Sequence, residues 1–143
     1  MSRQKKSKTP KQIEPIWLDR ALFVNSQYYT LCTTEEQFHK ILKYLKVPKK
    51  QWPPFVSGNV ANATTHYFIS GKTRSTVVCM PPSPEMSNAQ IVALLCHEAV
   101  HIWQATRKDY GERKPSSELE AYAIQSLTQR LVEEYERQTK KRK

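Results

Sequence analysis

The segment His97-Glu98-Ala99-Val100-His101 decides how this chain is interpreted, because it has the pattern H-E-x-x-H within a run that has the marks of a helix. Residues four apart lie on one helical face, so two imidazoles at this spacing can bind one metal ion. An acid directly after the first histidine can hold and deprotonate a water molecule beside that metal. The segment therefore predicts the site of a zinc hydrolase.

The residues around the motif predict a long helix that begins after a capping box. Ser87 and Gln90 have the S-x-x-Q spacing in which the two side chains satisfy free backbone amides. Apolar residues then occupy nearly every face of the helix: Ile91, Val92, Ala93, Leu94, Leu95, Cys96, Ala99, Val100, Ile102 and Trp103. We therefore expect this helix to be buried, and two buried histidines need a shared partner, which a metal ion supplies.

A third metal ligand is expected from a second helix, which follows the turn residues at 109–115 and opens at Ser116 and Ser117. Two acids compete for this role. At 100° per residue, Glu120 shares its face with apolar residues (Ile124, Leu127 and Leu131), whereas Glu118 shares its face mostly with polar ones (Tyr122, Gln125, Gln129 and Glu133). Glu120 is therefore the predicted ligand, and Glu118 is the fallback.

Other roles and other ligands stay open. Glu120 stands three residues after Ser117, so it can instead complete a capping box. His39 belongs to a separate amphipathic segment, and His66 lies in a predicted strand; no spacing ties either one to the motif. A fourth protein ligand such as His66 or Cys79 would close the metal site and favour a non-catalytic protein.

The strings HEAVHIWQ and PSSELEAYAIQ resemble the active-site and third-ligand helices of the small gluzincin-type metallopeptidases encoded by phages and prophages. The resemblance extends over about residues 17–135. It implies a compact zincin-like fold in which His97, His101 and Glu120 bind zinc and Glu98 is the catalytic base. A chain of 143 residues is expected to form one domain, without the large second domain of longer zincins.

The expected reaction is cleavage of an amide bond in a peptide or protein. An extended peptide is expected to add to an exposed strand at 75–80, which places a carbonyl over the metal. Tyr110, in the loop between the two ligand helices, is the candidate for stabilising the negative oxygen that develops on that carbonyl.

The positive net charge of +10 is concentrated at the two ends of the chain. Residues 1–11 hold five cations and residues 137–143 hold five more, with no acid in either segment. Of the 23 cations, 13 remain at 12–136, where they balance 13 acids. We therefore expect one domain at 12–136 between two basic tails, which can contact nucleic acid non-specifically or simply be solvated. A nucleic-acid-associated factor is thus one alternative function.

Three cysteines without a C-x-x-C pair suggest reduced thiols in the cytoplasm, which would be the host cytoplasm for a phage-encoded protein. Acids and a proline interrupt any signal-peptide core after the basic start, and no segment approaches the ~20 apolar residues of a membrane helix. Neither a leader nor a membrane partner is expected.

The remaining segments predict an α+β fold in which a small antiparallel sheet packs on the buried motif helix. Strands are expected at 21–25 and 28–33, a capped helix after Thr34, and a stiff proline-rich connection at 47–55. Segments 63–70 and 75–80 flank the turn Gly71-Lys72-Thr73-Arg74, which indicates a β-hairpin.

Overall fold

Three helices and a three-stranded sheet form the protein in the computed structural model, which describes residues 13–18, 27–58 and 62–140. The elements in chain order are β1 (Gln27–Cys32), α1 (Glu35–Tyr44), a short 3-10 turn (Lys49–Gln51), β2 (Thr64–Ser70), β3 (Thr73–Cys79), α2 (Asn88–Asp109) and α3 (Ser117–Thr139). The predicted α+β class is confirmed. The predicted strand at 21–25 lies outside the described residues, as do residues 1–12 and 141–143 of the basic ends.

Side-chain caps fix where the first two helices begin. The Thr34 hydroxyl accepts from the Gln37 amide, and the Gln37 side chain accepts from the Thr34 amide in return. Ser87 and Gln90 form the same reciprocal pair at the start of α2. Each pair satisfies backbone donors that a helix start leaves free, so both predicted starts are confirmed.

The sheet is mixed, and the prediction of an antiparallel sheet is wrong. β2 and β3 form the expected hairpin around Gly71, whose φ of 59° suits the tight turn. β1, however, pairs parallel to β3, which gives the strand order β1-β3-β2. The predicted edge at 75–80 is therefore also wrong, because β3 is the central strand and β2 is an edge.

Side chains of alternate residues along each strand pack into two apolar layers, one on each face of the sheet. On one face, Val78 of β3 and Tyr29 of β1 pack with residues of α2 and α3 such as Leu95 and Leu131. On the other face, Val77, Cys79 and Cys32 pack against α1, with Trp52 and Phe55 of the proline-rich connection at the margin. The sheet is thus the middle layer, with α1 on one side and α2 with α3 on the other.

Helix α2 buries only one face, which corrects the expectation of a fully buried motif helix. Leu95, Ala99 and Ile102 are completely buried, whereas His97 and His101 are exposed on the opposite side. An apolar composition therefore did not mean burial on every face, since Val92 is also 43% exposed. No helix in the described ranges is long and apolar enough to cross a membrane.

Helix α3 begins where the sequence predicts, at Ser116 and Ser117. Its N-cap is Ser116, whose hydroxyl accepts from the Leu119 amide, so the capping box considered as the alternative role of Glu120 does not form. At the other end, α3 continues to Thr139, beyond the domain boundary predicted at residue 136. Arg137 bonds to the buried carboxylate of Glu134 one turn earlier, which ties the start of the predicted basic tail to the domain.

Candidate metal centre

Two polar contacts fix α2 against the sheet and so position the motif. The buried side-chain amide of Gln27 on β1 donates from Nε2 to the Ile102 carbonyl at 3.0 Å and to the Thr106 hydroxyl at 2.7 Å. Its Oε1 accepts a hydrogen bond from the Thr76 hydroxyl of β3. Near the end of the helix, the guanidinium of Arg74 on β3 makes two bonds to the Asp109 carboxylate, at 3.0 and 2.7 Å. The helix that carries the motif is therefore held against the sheet at two places, at Ile102 and Thr106 and again at Asp109.

His97 and His101 face each other on the outer side of α2. Their Nε2 atoms are 3.0 Å apart and the ring centroids are 4.7 Å apart, with the rings nearly perpendicular. Two nitrogens bound to one tetrahedral zinc ion, each at about 2.05 Å, would be separated by about 3.3 Å. The pair therefore has nearly the separation that a shared metal ion requires.

Glu98 follows His97 in the chain, so its side chain lies about 100° further around the helix, where it contacts β2. It is only 3% exposed, and its Oε2 accepts a hydrogen bond from the Thr65 hydroxyl. In the part of the chain that the structure describes, no hydrogen bond reaches the other oxygen, Oε1. A buried carboxylate with one unpaired oxygen is costly, so this position suits an acid that works on a water molecule or a cation from outside the chain.

Glu120 faces α2, as the helical-face argument predicts, while Glu118 is exposed. The Glu120 carboxylate is half-buried and accepts a hydrogen bond of 2.8 Å from the Trp103 indole. Trp103 is two residues after His101, which is about 200° around the helix. The structure therefore brings His97 and His101 together but holds Glu120 on another side of α2.

The donor set for zinc is incomplete in this arrangement. Across residues 13–18, 27–58 and 62–140, no three His, Cys, Asp or Glu side chains converge closely enough to hold one metal ion. The two imidazoles fit zinc in chemistry and spacing. A third protein ligand would have to move into place, and Glu120 would first have to release the Trp103 indole.

Tyr110 lies too far away for the role predicted for it. It is the C-cap residue of α2 and is 55% exposed. Nine residues separate it from His101, which is about 13 Å along the helix and more than a tyrosine side chain spans.

Tyr67, on β2, lies near Glu98 and was not predicted as a site residue from the sequence. It follows Thr65 by two residues on β2 and so shares the sheet face that contacts Glu98. Its ring lies 5.6 Å from the Arg74 guanidinium. Burial raises the pKa of Tyr67, the negative charge of Glu98 raises it further, and Arg74 opposes both effects. The alternation of side chains along β2 places Tyr67 on the same face as Thr65, but the sequence does not show which face of β2 contacts α2.

The two residues considered as a fourth ligand lie on the opposite face of the sheet from Glu98. His66 stacks on Phe38 of α1 at 4.9 Å, and its Nε2 lies 3.0 Å from the Phe55 carbonyl oxygen. Burial lowers the pKa of His66, although the contact with Phe55 partly opposes this. Cys79 packs in the same α1 layer. These two side chains are therefore separated from the histidine pair by the sheet.

His39 is also remote from the motif. It belongs to α1, where it lies 3.7 Å from Glu35 and packs beside Trp52. Its contacts are therefore with a side chain of α1 and with the proline-rich connection.

Comparison with known proteins gives no assignment: no protein-family model, no curated protein and no solved structure matches the chain.

Proposed function

We propose that this protein is a zinc-dependent hydrolase that cleaves amide bonds in peptides or proteins. The observation that carries the proposal is the pair of facing imidazoles of His97 and His101, which lies next to the buried carboxylate of Glu98. Glu120 is the proposed third ligand, because it is the acid of α3 that faces α2, and Glu118 remains the fallback. The resemblance to gluzincin-type metallopeptidases supports the same assignment.

Glu98 is the proposed general base. The Thr65 hydroxyl holds one carboxylate oxygen, which leaves Oε1 to accept a proton from water and later return it to the leaving amine. When bound, zinc would supply a Lewis acid that polarises the substrate carbonyl and makes a nearby water more acidic. The burial of Glu98 keeps competing solvent away from the carboxylate.

The outer edge of β2 is the proposed binding site for an extended peptide. Among the described residues no strand pairs with this edge, so its backbone amides and carbonyls are available for strand addition. Thr65 of the same strand contacts Glu98, so a peptide along β2 would pass close to the proposed base. The exposed side chains of Tyr67 and Ile69 would contact such a peptide.

Replacing Tyr67 with Phe is expected to lower kcat by about 100-fold, because we propose that its hydroxyl donates to the carbonyl oxygen as negative charge develops there. The measurement is the steady-state cleavage of fluorophore-labelled casein, used as an unfolded protein substrate. Tyr110→Phe is the matched control and should change the rate little. Equal rates for Tyr67→Phe and the parent protein would remove Tyr67 from the mechanism.

Replacing His101 or Glu120 with Ala is expected to weaken zinc binding on the order of 100-fold, because each change removes a proposed ligand. Zinc affinity is measured by titration against a chromophoric chelator, and the metal content of purified protein gives a second readout. This experiment requires no substrate, so it tests the metal site separately from hydrolysis.

Glu118→Ala is the matched control for Glu120→Ala, because both acids lie in the first turn of α3. The control variant should keep its zinc. Zinc lost from Glu118→Ala and retained by Glu120→Ala would overturn the ligand assignment. Zinc retained by both variants would remove these two acids from the site.

A zinc-binding protein that hydrolyses nothing is the second candidate. The hydrogen bond between Trp103 and Glu120 favours it, because that bond holds the proposed third ligand away from the histidines. In this case the exposed His97 and His101 would bind zinc as a surface site that presents the metal to a partner protein. Zinc binding that survives Glu120→Ala, together with no cleavage of labelled casein, would support this candidate.

A further inference from the structure

Two buried thiols lie side by side in the α1 layer, away from the proposed metal site. Cys32 ends β1, Cys79 ends β3, and the two are register partners in the parallel pair. Their Sγ atoms are 3.4 Å apart, and the side chains are 1% and 0% exposed. Nothing in the proposed hydrolase uses this pair.

The position of the two residues fits the geometry of a disulfide bond. Register partners on paired strands have Cα atoms about 4.8 Å apart, and disulfides accept Cα separations of about 4.4–6.8 Å. The two sulfurs already face each other, so a bond requires an approach to about 2 Å. Both side chains also lie on the same sheet face, because partners in a parallel pair point the same way.

We propose that Cys32 and Cys79 form an intramolecular disulfide when the chain folds in the presence of a disulfide oxidant such as oxidised glutathione. One cysteine thiolate attacks the glutathione disulfide, which gives a mixed disulfide and releases one glutathione. The second cysteine thiolate attacks the protein sulfur, and the second glutathione leaves. The protein loses two protons and two electrons, and these reduce the oxidant to two glutathione thiols.

Once the reduced chain has folded, the same pair is protected from the oxidant. Both thiols are covered by apolar side chains, among them Phe38 and Leu42 of α1. Burial and the neighbouring Cys32 raise the pKa of the Cys79 thiol, so the reactive thiolate is scarce. The redox state of the pair is therefore set during folding rather than afterwards.

The test uses the full chain carrying Cys96→Ser, because Cys96 is half-buried and is the third thiol that can form wrong pairs. The reduced variant is unfolded in guanidinium and refolded with and without oxidised glutathione. We expect the oxidised product to lose both titratable thiols and to give a peptide that links Cys32 with Cys79. Closing a loop between residues 47 positions apart should raise Tm on the order of 10 °C, and unfolding in guanidinium with reductant before refolding should return Tm to that of the reduced protein.

Incubation of the already folded, reduced variant with the same oxidant is the second arm, and it should leave both thiols free. Two titratable thiols after oxidative refolding to a native circular dichroism spectrum would overturn the proposal. Products that carry only glutathione adducts or intermolecular disulfides would also overturn it. Peptide mapping of the unsubstituted chain tests whether Cys96→Ser itself changes which cysteines pair. A bridge to Cys96 in that chain would contradict the assigned pair.

Discussion

Replacing Glu98 with Gln is expected to lower hydrolytic turnover by about 10²- to 10⁴-fold while the zinc content stays unchanged. Gln has nearly the same shape as Glu, and its carbonyl oxygen can still accept the hydrogen bond from Thr65. The amide cannot take a proton from water, so only the proposed base chemistry is lost. Because Glu98 is 3% exposed, solvent cannot easily replace it as the proton acceptor.

Cleavage of labelled casein and metal content should be measured on the same preparation of Glu98→Gln. Glu112→Gln, at an exposed position between α2 and α3, is the matched control for the loss of one negative charge. Turnover within a few-fold of the parent protein would show that Glu98 is not the base. Loss of zinc from Glu98→Gln would instead place this carboxylate among the metal ligands.

Replacing Gln27 with Met should lower the free energy of unfolding by about 2–5 kcal/mol, because buried polar groups lose their partners. The Gln27 amide links Thr76 of β3 with Ile102 and Thr106 of α2, and the side chain is completely buried. Met fills a similar volume, so the loss would report on hydrogen bonding rather than on a cavity.

Urea unfolding followed by circular dichroism measures this difference. Gln125→Met is the control, since Gln125 is exposed on α3 and the same chemical change there should shift stability by about 0.5 kcal/mol or less. A Gln27→Met protein as stable as its parent would mean that the bridge between sheet and helix is not needed to hold α2.

Local sequence signals were sufficient for most of the secondary structure. The caps at Thr34 and Ser87 and the turn at Gly71 each involve residues within three positions of one another, so their partners can be read directly from the chain. The parallel pairing of β1 with β3 joins residues 47 positions apart, and no local pattern specifies it. The order of the strands, and with it the exposed edge, therefore had to come from the structure.

Local sequence signals were also sufficient for one part of the candidate site and insufficient for the rest. The spacing of His97 and His101 predicts their approach, because four residues make about one helical turn. The same helical geometry places both on the side opposite Ala99, a signal that the apolar composition of the segment obscured. The hydrogen-bond partner of Glu120 depends on how α3 packs against α2, which the sequence does not show. Tyr110 follows the end of α2, so the length of helix between His101 and Tyr110 separates it from the motif.

The central position of β3 also has a consequence for synthesis of the chain. β1 is translated first, but the strand that it pairs with is completed only at residue 79, after α1 and β2. A nascent chain would thus hold β1 without its β3 partner for several seconds at ordinary translation rates of about 5–20 residues per second. The hairpin of β2 and β3 can close as soon as it is made, so docking of β1 belongs to a later stage of folding, during which chaperones would have access to that strand.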